Sequence, residues 1–312
     1  MIVKPFEESL MTQGLRVLAK RLMPTSSLYE RIVRELQQAE AGDHGEQYIL
    51  QQLEKLSHSL DIKVLHNVSI LKPVPMQLDI VILMPSEVII VESKNIRGQV
   101  QLKMKPRQMI RVLDNGERNV FNHPEVQLEE YVFHSTEFFR RYQEQVKISG
   151  IVIFPFNNAS IDYEDGQFPI LVLRELSNYL HQRITSTSPI NTHKIMQLLL
   201  HHHKPYTPFP LCSYYKIDSQ FIKPGVICPN CQFKQMQREH YHWFCPRCHH
   251  QDAKAHKEAL RDYSLLVSND ITNQQAQQFL CLPNRHHVKR ILQNSCFSKR
   301  GNTSQTIYQI LK

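Results

Sequence analysis

Residues 77–95, with the sequence QLDIVILMPSEVIIVESKN, restrict how this chain can fold more than any other stretch. Two apolar runs, 80–84 and 88–91, lie on either side of the turn-forming pair Pro85-Ser86. Short continuous apolar runs bounded by turn residues predict buried strands, and the short connection predicts that they pair antiparallel. The stretch therefore predicts a buried hairpin.

Three charged side chains lie at the ends of this hairpin, where an unpaired charge is costly to bury. Asp79 precedes the first apolar run, and Glu92 and Lys94 follow the second. The turn brings Asp79 beside Glu92. Strand alternation places Lys94 on the same face as Glu92, with Ser93 pointing away. The two carboxylates and the lysine are therefore predicted to converge at one edge of the sheet.

Such a trio suits hydrolysis of a phosphodiester. Carboxylates bind Mg²⁺ or Mn²⁺ through hard oxygen ligands, and the ion activates water and polarises the phosphate. A lysine steadies the nucleophile or the developing negative charge. The alternative is a structural ion pair of Lys94 with Asp79 or Glu92, because this spacing also occurs by chance.

The segments around the hairpin alternate between strand and helix patterns. Strands are predicted at 63–70, 78–84, 87–93 and 99–104, and within 149–156 and 168–173. Helices are predicted from Ser27 to a stop at Gly42, from a cap at Asp43, from about Pro124, and near 173–185 and 190–203. This mixture predicts an α/β or α+β core.

The chain divides into five predicted segments. These are an N-terminal helical segment (1–40), a mixed α/β domain (41–203), a proline-containing linker (204–225), a cysteine-rich module (226–250) and a C-terminal helical segment (251–312). No stretch reaches the roughly 18–20 apolar residues of a membrane span, and the N-terminus lacks the apolar block of a signal peptide. We therefore expect a cytoplasmic protein with no membrane partner.

The net charge of +8 is unevenly distributed along the chain. Residues 1–222 contain 24 basic and 24 acidic side chains, whereas residues 223–312 contain 13 basic and 5 acidic ones. A basic segment attached to a neutral body is typical of a nucleic-acid-binding appendage. The alternative is a charged segment that only improves solubility.

Four of the seven cysteines form two closely spaced pairs in CPNCQFKQMQREHYHWFCPRC. Two C-x-x-C knuckles separated by 13 residues predict a zinc ribbon, with Zn²⁺ held by Cys228, Cys231, Cys245 and Cys248. Four cysteines complete a tetrahedron, so the predicted site is structural and has no open position for catalysis. The alternative is a loop with free thiols.

The sequence ITNQQAQQFLCLPNRHHVKRILQNS predicts two short helices joined by a turn at Cys281–Pro283. Thr272 and Gln275 predict a capping box for the first helix, and Asn284 predicts a cap for the second. Basic residues on the second helix are typical of a helix-turn-helix that binds DNA, and SQTIYQIL would add a strand as a wing. An ordinary helical hairpin is the alternative.

Four motifs resemble the nuclease-related domain (NERD) family, a branch of the PD-(D/E)xK nuclease-like fold. They are GDHGE at 42–46, QLD at 77–79, ESKNIRG at 92–98 and NHPEVQLEEY at 122–131. The resemblance covers roughly residues 40–160 and implies a mixed sheet flanked by helices, as in restriction endonucleases. It also implies that Asp79, Glu92 and Lys94 form a metal-dependent site.

The resemblance implies roles for four further residues. Glu46 corresponds to an acidic residue that helps to bind the metal, although a capping box with Asp43 is the alternative. Gln127 and Tyr131, four apart on one helix, resemble the Q-x-x-x-Y element of RecB-like nucleases, but such pairs are often coincidental. Gln77 shares the strand face of Asp79. The proline that gives the PD-(D/E)xK fold its first letter is absent here, since Leu78 precedes Asp79. That proline is not a metal ligand, so its absence does not exclude the reaction.

These features favour a Mg²⁺-dependent or Mn²⁺-dependent endonuclease that acts on DNA, with a zinc ribbon and a helix-turn-helix that bind DNA. A non-catalytic DNA-binding protein that uses the sheet as a scaffold is the alternative. RNA is a third possible substrate, since nothing in the sequence separates it from DNA.

Overall fold

The computed structural model describes residues 1–72, 74–184, 189–232, 235–294, 298–301 and 306–310. The chain forms two compact units. The first comprises Met1–Ser9 and Gln38–Tyr206, and the second comprises Leu10–Gln37 and Thr207–Lys312. No helix of the described residues has both the length and the apolar character needed to cross a membrane.

This division differs from the boundaries predicted from the sequence. Residues 10–37 group with the C-terminal part of the chain, so 1–40 is not a separate segment. Segment 204–225, predicted as a linker, contains a short helix in which Leu211 and Cys212 are buried. The prolines of this segment interrupt regular structure, but the apolar side chains that follow them still pack.

The first unit contains two sheets. Its strands are β1 (Ile2–Lys4), β2 (Lys63–Ile70), β3 (Met76–Leu83), β4 (Val88–Ser93), β5 (Gly98–Met104), β6 (Arg107–Val112), β7 (Arg118–Asn122), β8 (Ile148–Phe154), β9 (Ala159–Tyr163) and β10 (Ile170–Val172). Within the described residues the larger sheet has the order β1-β2-β3-β4-β8-β10 and the smaller one β7-β6-β5-β9. The larger sheet is mixed, since β2, β3 and β4 pair antiparallel while β8 is parallel to β4.

The predicted hairpin is formed by β3 and β4. Ile80 pairs with Val91 and Leu83 with Val88, so one further step along the ladder places Asp79 opposite Glu92. Backbone hydrogen bonds of 2.9 and 3.3 Å between residues 84 and 87 close the turn. The structure thus confirms the hairpin and its predicted register.

The helices of the chain are α1 (Leu10–Arg21), α2 (Tyr29–Leu56), α3 (Pro124–Arg141), α4 (Leu176–His181), α5 (Thr192–His202), α6 (Leu211–Tyr215), α7 (Ala255–Leu266), α8 (Asn273–Leu280) and α9 (Arg285–Asn294). The large sheet is buried on both faces. On one face Ile80 and Ile82 share an apolar cluster with Leu53 of α2. On the other, Val81 shares a cluster with Phe138 of α3. This double burial explains why the strand sequences are continuously apolar.

The prediction of two helices between Ser27 and Leu56 is wrong, because α2 is continuous through Gly42. A glycine inside a helix costs only about 1 kcal/mol relative to alanine, which packing of the helix readily offsets. Asp43 is consequently an interior helical residue and not a cap. The capping-box explanation for Glu46 is therefore also wrong.

The second unit contains a small three-stranded sheet of β11 (Gln237–Glu239), β12 (His242–Phe244) and β13 (Gln251–Asp252). A buried ion pair lies nearby in the fold: Arg21 Nε of α1 donates to Asp262 Oδ2 of α7 at 2.7 Å. Arg21 Nη1 also donates to the carbonyl oxygens of Lys223 and Gly225 at 3.0 and 3.1 Å. These bonds tie α1 to segment 204–225 and to α7, which is why α1 belongs to this unit.

The C-terminal segment has the order of a winged helix-turn-helix. After α7 come β14 (Asp270–Thr272), α8, α9, β15 (Ser298–Arg300) and β16 (Ile307–Gln309), and the sheet order is β14-β16-β15. Thr272 forms the predicted capping box with Gln275. Asn284 Oδ1 accepts from the His286 backbone N–H at 2.8 Å, as predicted for a cap. The predicted wing strand is present as β16.

Candidate active site and metal centre

The hairpin charges meet at the end of β4. Glu92 is only 2% exposed, and its Oε1 forms an ion pair with Lys94 Nζ. Asp79 Oδ2 accepts a hydrogen bond of 3.2 Å from the backbone N–H of Ser93. Glu92 Oε2 is buried and has no hydrogen-bond partner among the described residues. The structure therefore brings the predicted trio together and leaves one carboxylate oxygen unsatisfied.

Glu46 of α2 reaches the same site. Its Oε2 lies 2.8 Å from His66 Nε2 on β2. His66 Nδ1 accepts a 3.3 Å hydrogen bond from the backbone N–H of Glu7, so the ring proton is on Nε2 and is donated to Glu46. Burial lowers the pKa of His66 to about 4, which keeps the ring neutral. His66 thus holds Glu46 in position.

His66 was not predicted from the sequence. It is the histidine within the apolar strand KVLHNVSI, and it pairs with Ile80, the residue after Asp79. A lone histidine in an apolar strand is the signal that could have identified it.

Burial and mutual repulsion raise the pKa values of all three carboxyl groups. Burial and the charge of Glu46 raise the pKa of Asp79 to about 7. Burial and Asp79 raise the pKa of Glu92 to about 8, and burial and Asp43 raise that of Glu46 to about 8. These groups need a compensating positive charge to be ionised together at neutral pH.

Lys94 provides part of that charge. Burial lowers its pKa, but the neighbouring Glu92 and Asp79 outweigh burial, and the net shift is upward. The ammonium group is therefore charged throughout the physiological range.

We expect the metal-free protein to lose thermal stability as the pH rises from about 6.5 to about 8.5, because below pH 6.5 the lowered pKa of His66 acts in the opposite direction. The unfolded carboxyl groups ionise near pH 4. In the folded chain Asp79 stays protonated until about pH 7 and Glu92 until about pH 8. The folded state therefore binds more protons in this window, and raising the pH favours unfolding.

The measurement is the melting temperature against pH in EDTA, repeated with Mg²⁺. Asp79→Asn should flatten the dependence, and Mg²⁺ should stabilise the parent more at pH 8 than at pH 6. Asp114→Asn, at an exposed turn, is the control. An equal slope in Asp79→Asn and the parent would contradict the assignment.

Of the remaining predicted site residues, Tyr131 with its partner Gln127 lies near the carboxylates, whereas Gln77 is hydrogen-bonded elsewhere. Gln127 Nε2 donates to Tyr131 Oη at 3.0 Å on α3. Tyr131 is close enough to Glu92, Asp79 and Lys94 for their charges to act on its pKa, which burial raises. Gln77, in contrast, donates to Asn67 Oδ1 at 2.9 Å, and no described hydrogen bond joins it to the carboxylates.

The donor set at this site suits a hard divalent cation. Carboxylate oxygens predominate, and the unsatisfied Glu92 Oε2 lacks the partner that an ion would provide. Among the described residues, the four cysteines of the second unit are the only group of three or more His, Cys, Asp or Glu residues whose ligand atoms all lie within 4.8 Å of one another. The three carboxylates do not form such a group.

The cysteine cluster has tetrahedral dimensions. The Sγ atoms of Cys228 and Cys248 are 3.6 Å apart, and so are those of Cys231 and Cys245. Four sulfurs around a zinc ion at a Zn–S distance of about 2.3 Å would be about 3.8 Å apart. The observed spacing fits a zinc ion, and the described neighbouring histidines are not required.

The two knuckles have the same local conformation. Gln232 N–H donates to the Cys228 carbonyl at 3.0 Å, and His249 N–H donates to the Cys245 carbonyl at 2.9 Å. Gln232 and His249 also share the left-handed conformation, with φ of 57° and 59°. A hydrogen bond from the His250 backbone lowers the pKa of Cys248 to about 6, which favours the thiolate that binds metal.

Comparison with known proteins supports the interpretation of the first unit. Residues 41–155 match the family model of the nuclease-related domain. A comparison with curated proteins found no match. Among solved structures, Can2 from Sulfobacillus thermosulfidooxidans, in complex with cyclic tetra-adenylate, is 16% identical with a TM-score of 0.26. That match covers 56% of this chain and 51% of Can2, about half of its length. Residues 41–155 are therefore similar to the nuclease-related domain family, by the match to its family model alone.

Proposed function

We propose that this protein is a metal-dependent nuclease that hydrolyses phosphodiester bonds in DNA, with a second unit that binds DNA. The observation that carries the proposal is the set of three carboxylates at one sheet edge, with Glu92 buried and Asp79 and Glu46 half-buried, Lys94 beside them and Glu92 Oε2 unsatisfied. A scaffold would have no need to hold repelling charges together in a buried position.

In this proposal Asp79 and Glu92, assisted by Glu46, would hold Mg²⁺ or Mn²⁺, which polarises the scissile phosphate and activates water when bound. Lys94 stays protonated and stabilises the negative charge that develops on the phosphate. The Tyr131 oxygen accepts from Gln127, which leaves its hydroxyl hydrogen available for a phosphate oxygen.

The four cysteines of the second unit would hold one Zn²⁺ that keeps the small ribbon folded. Cys228, Cys231, Cys245 and Cys248 leave no ligand position open, so the ion has a structural role. Trp243 of β12 is 1% exposed and donates from Nε1 to His256 Nδ1 of α7 at 3.1 Å. A folded ribbon is therefore joined to the winged helix-turn-helix.

The winged helix-turn-helix supplies a surface for the DNA backbone. Residues 271–312 contain six Lys or Arg residues and no Asp or Glu. Arg285, Lys289 and Arg290 are exposed on α9, which is the second helix of the motif. Cations on this helix suit docking in the major groove.

We expect Arg285→Ala/Lys289→Ala/Arg290→Ala to weaken binding to duplex DNA by about 10-fold or more at moderate salt. The slope of log K against log salt is negative, and each lost phosphate contact reduces its magnitude by about 0.9. The loss of three contacts therefore reduces the magnitude by about 2.7. The measurement is fluorescence anisotropy in EDTA over a salt series.

A control removes the same charge from the first unit through exposed residues, in the variant Lys103→Ala/Lys105→Ala/Arg118→Ala. Equal losses in the two triple variants would mean that α9 has no special role and that the basic excess acts only through net charge.

The test of the proposed function is cleavage of plasmid and linear DNA with Mg²⁺, with Mn²⁺ and in EDTA. Metal-dependent nicking supports the proposal. Binding of DNA without cleavage under every condition would favour the alternative, a non-catalytic DNA-binding protein. Cleavage of RNA but not of DNA would mean that the substrate is RNA and not DNA.

A further inference from the structure

Three aromatic rings form a stack on the first unit. His44 and Tyr48 lie four residues apart on α2, and both are stacked on Phe156 with ring centroids 5.1 and 4.8 Å away. The interplanar angles are 17° and 19°. Tyr48 is 37% exposed, His44 is also exposed, and Phe156 is half-buried.

The stack lies at the same sheet edge as the carboxylates. Glu46 is on α2 between His44 and Tyr48, and Phe156 is two residues beyond the end of β8. β8 is parallel to β4, and the backbone N–H of Lys94 donates to the carbonyl of Ile153 at 2.9 Å. The aromatic rings therefore lie at the same end of β4 and β8 as the carboxylates, on a different side of α2 from Glu46.

Close packing of α2 against this edge fixes the arrangement. A Cβ atom at Gly45 would stand 2.9 Å from Asn95 Cβ and 3.1 Å from Pro155 Cγ. The helix can approach the ends of β4 and β8 because Gly45 has no side chain. Glu46 and Tyr48 are thus placed by the same contact.

An open groove of about 350 Å³ begins at the stack. Its lining includes the aromatic residues Tyr48 and Phe156, the amide-bearing residues Gln52 and Asn157, and the exposed cations Lys55 and Arg174. None of the described residues that line it is acidic. Aromatic faces next to cations are the elements that bind single-stranded nucleic acid, because bases stack on the rings and phosphates meet the cations.

We propose that this groove binds unpaired nucleotides of a single strand and directs that strand to the carboxylates. One or two bases stack on Tyr48 and Phe156, and the adjoining phosphates lie near Lys55 and Arg174. A paired base has no exposed face for such stacking, so the groove selects single-stranded, frayed or flipped-out substrate. The inference rests on the proposed function for its reaction and names the form of the substrate.

The test measures binding of fluorescein-labelled oligo-dT in EDTA, where no cleavage occurs. It uses the full chain with Arg285→Ala/Lys289→Ala/Arg290→Ala, so that binding by α9 is reduced. Base stacking is worth about 1–3 kcal/mol per base, so Tyr48→Ala should raise the Kd about 5-fold to 150-fold. Tyr48→Phe should bind within about twofold of the parent because the ring remains. Lys55→Gln/Arg174→Gln should weaken binding and flatten its salt dependence.

Phe133→Ala is the matched control, since Phe133 is an aromatic residue of the same unit that is 62% exposed outside the stack. The proposal fails if Tyr48→Ala and Lys55→Gln/Arg174→Gln both bind the oligonucleotide as tightly as the parent. It also fails if Tyr48→Ala loses no more affinity than Phe133→Ala. If the parent protein binds the oligonucleotide but does not cleave DNA with any metal, the proposed nuclease function fails while the groove stands. If the parent cleaves DNA and Tyr48→Ala binds the oligonucleotide as tightly as the parent, the groove fails while the nuclease function stands.

Discussion

Asp79→Asn should abolish metal-dependent cleavage of plasmid DNA while leaving the first unit folded and no less stable. A metal ligand contributes several kcal/mol to the stabilisation of the transition state, so the expected loss is about 10³-fold or more. The neutral amide can keep the hydrogen bond from the Ser93 backbone, and it removes the repulsion that raises the pKa values of Asp79 and Glu92. Glu92→Gln should have the same effect on cleavage.

Lys94→Ala separates chemistry from metal binding. Lysine is not a ligand for Mg²⁺, so this variant should lose cleavage but still be stabilised by the ion. With Mg²⁺ at about ten times its Kd, binding adds about 1.4 kcal/mol, or about 3–6 °C in melting temperature. Asp79→Asn should lose this shift together with cleavage.

A structural ion pair makes the opposite prediction. If Glu92 and Lys94 only stabilise the fold, each neutral substitution should lower the melting temperature, and Mg²⁺ should change nothing. The measurements are plasmid nicking and melting temperature at zero and millimolar Mg²⁺, with Asp114→Asn as an exposed control. Cleavage at the parental rate by Asp79→Asn, Glu92→Gln and Lys94→Ala would exclude this site.

The hairpin and its charges could be predicted because their signals are local. Two apolar runs and a two-residue turn determine the register, and the register alone sets Asp79 opposite Glu92. The cysteine knuckles and the caps of α8 and α9 are also local, since each depends on residues within five positions. Such features need no knowledge of the rest of the fold.

The features that the sequence did not predict depend on contacts between distant segments. α2 continues through Gly42, and Ile49, Leu50 and Leu53 beyond it pack on the sheet, a contact that a local glycine cannot indicate. The smaller sheet includes β6 and β7, whose short strands are only partly apolar and show no strong periodicity. His66 reaches Glu46 across 20 residues, and Phe156 reaches Tyr48 across more than 100. The lone histidine of an apolar strand could have marked His66 as unusual, but neither segment indicates which distant residue it contacts.

The purified protein should contain about one Zn²⁺ per chain, and Cys228→Ser/Cys245→Ser should lose it. The two substitutions remove one thiolate from each knuckle, and the remaining pair cannot hold a tetrahedral ion. Zinc contributes about 10–16 kcal/mol to small domains of this kind, far more than a ribbon with three short strands can supply by packing. The ribbon should therefore unfold, while the first unit should keep its melting transition.

Trp243 reports on this event directly, because it is the single tryptophan of the chain and is 1% exposed within the ribbon. Its emission should shift to longer wavelength when the ribbon opens, and metal analysis should show the loss of zinc in the same sample. Cys281→Ser is the control, since Cys281 is exposed and outside the cluster. Retention of zinc by Cys228→Ser/Cys245→Ser would mean that other side chains, such as the nearby histidines, complete the site. An unchanged Trp243 emission after zinc loss would instead show that the ribbon folds through packing alone, and that the ion is not its structural centre.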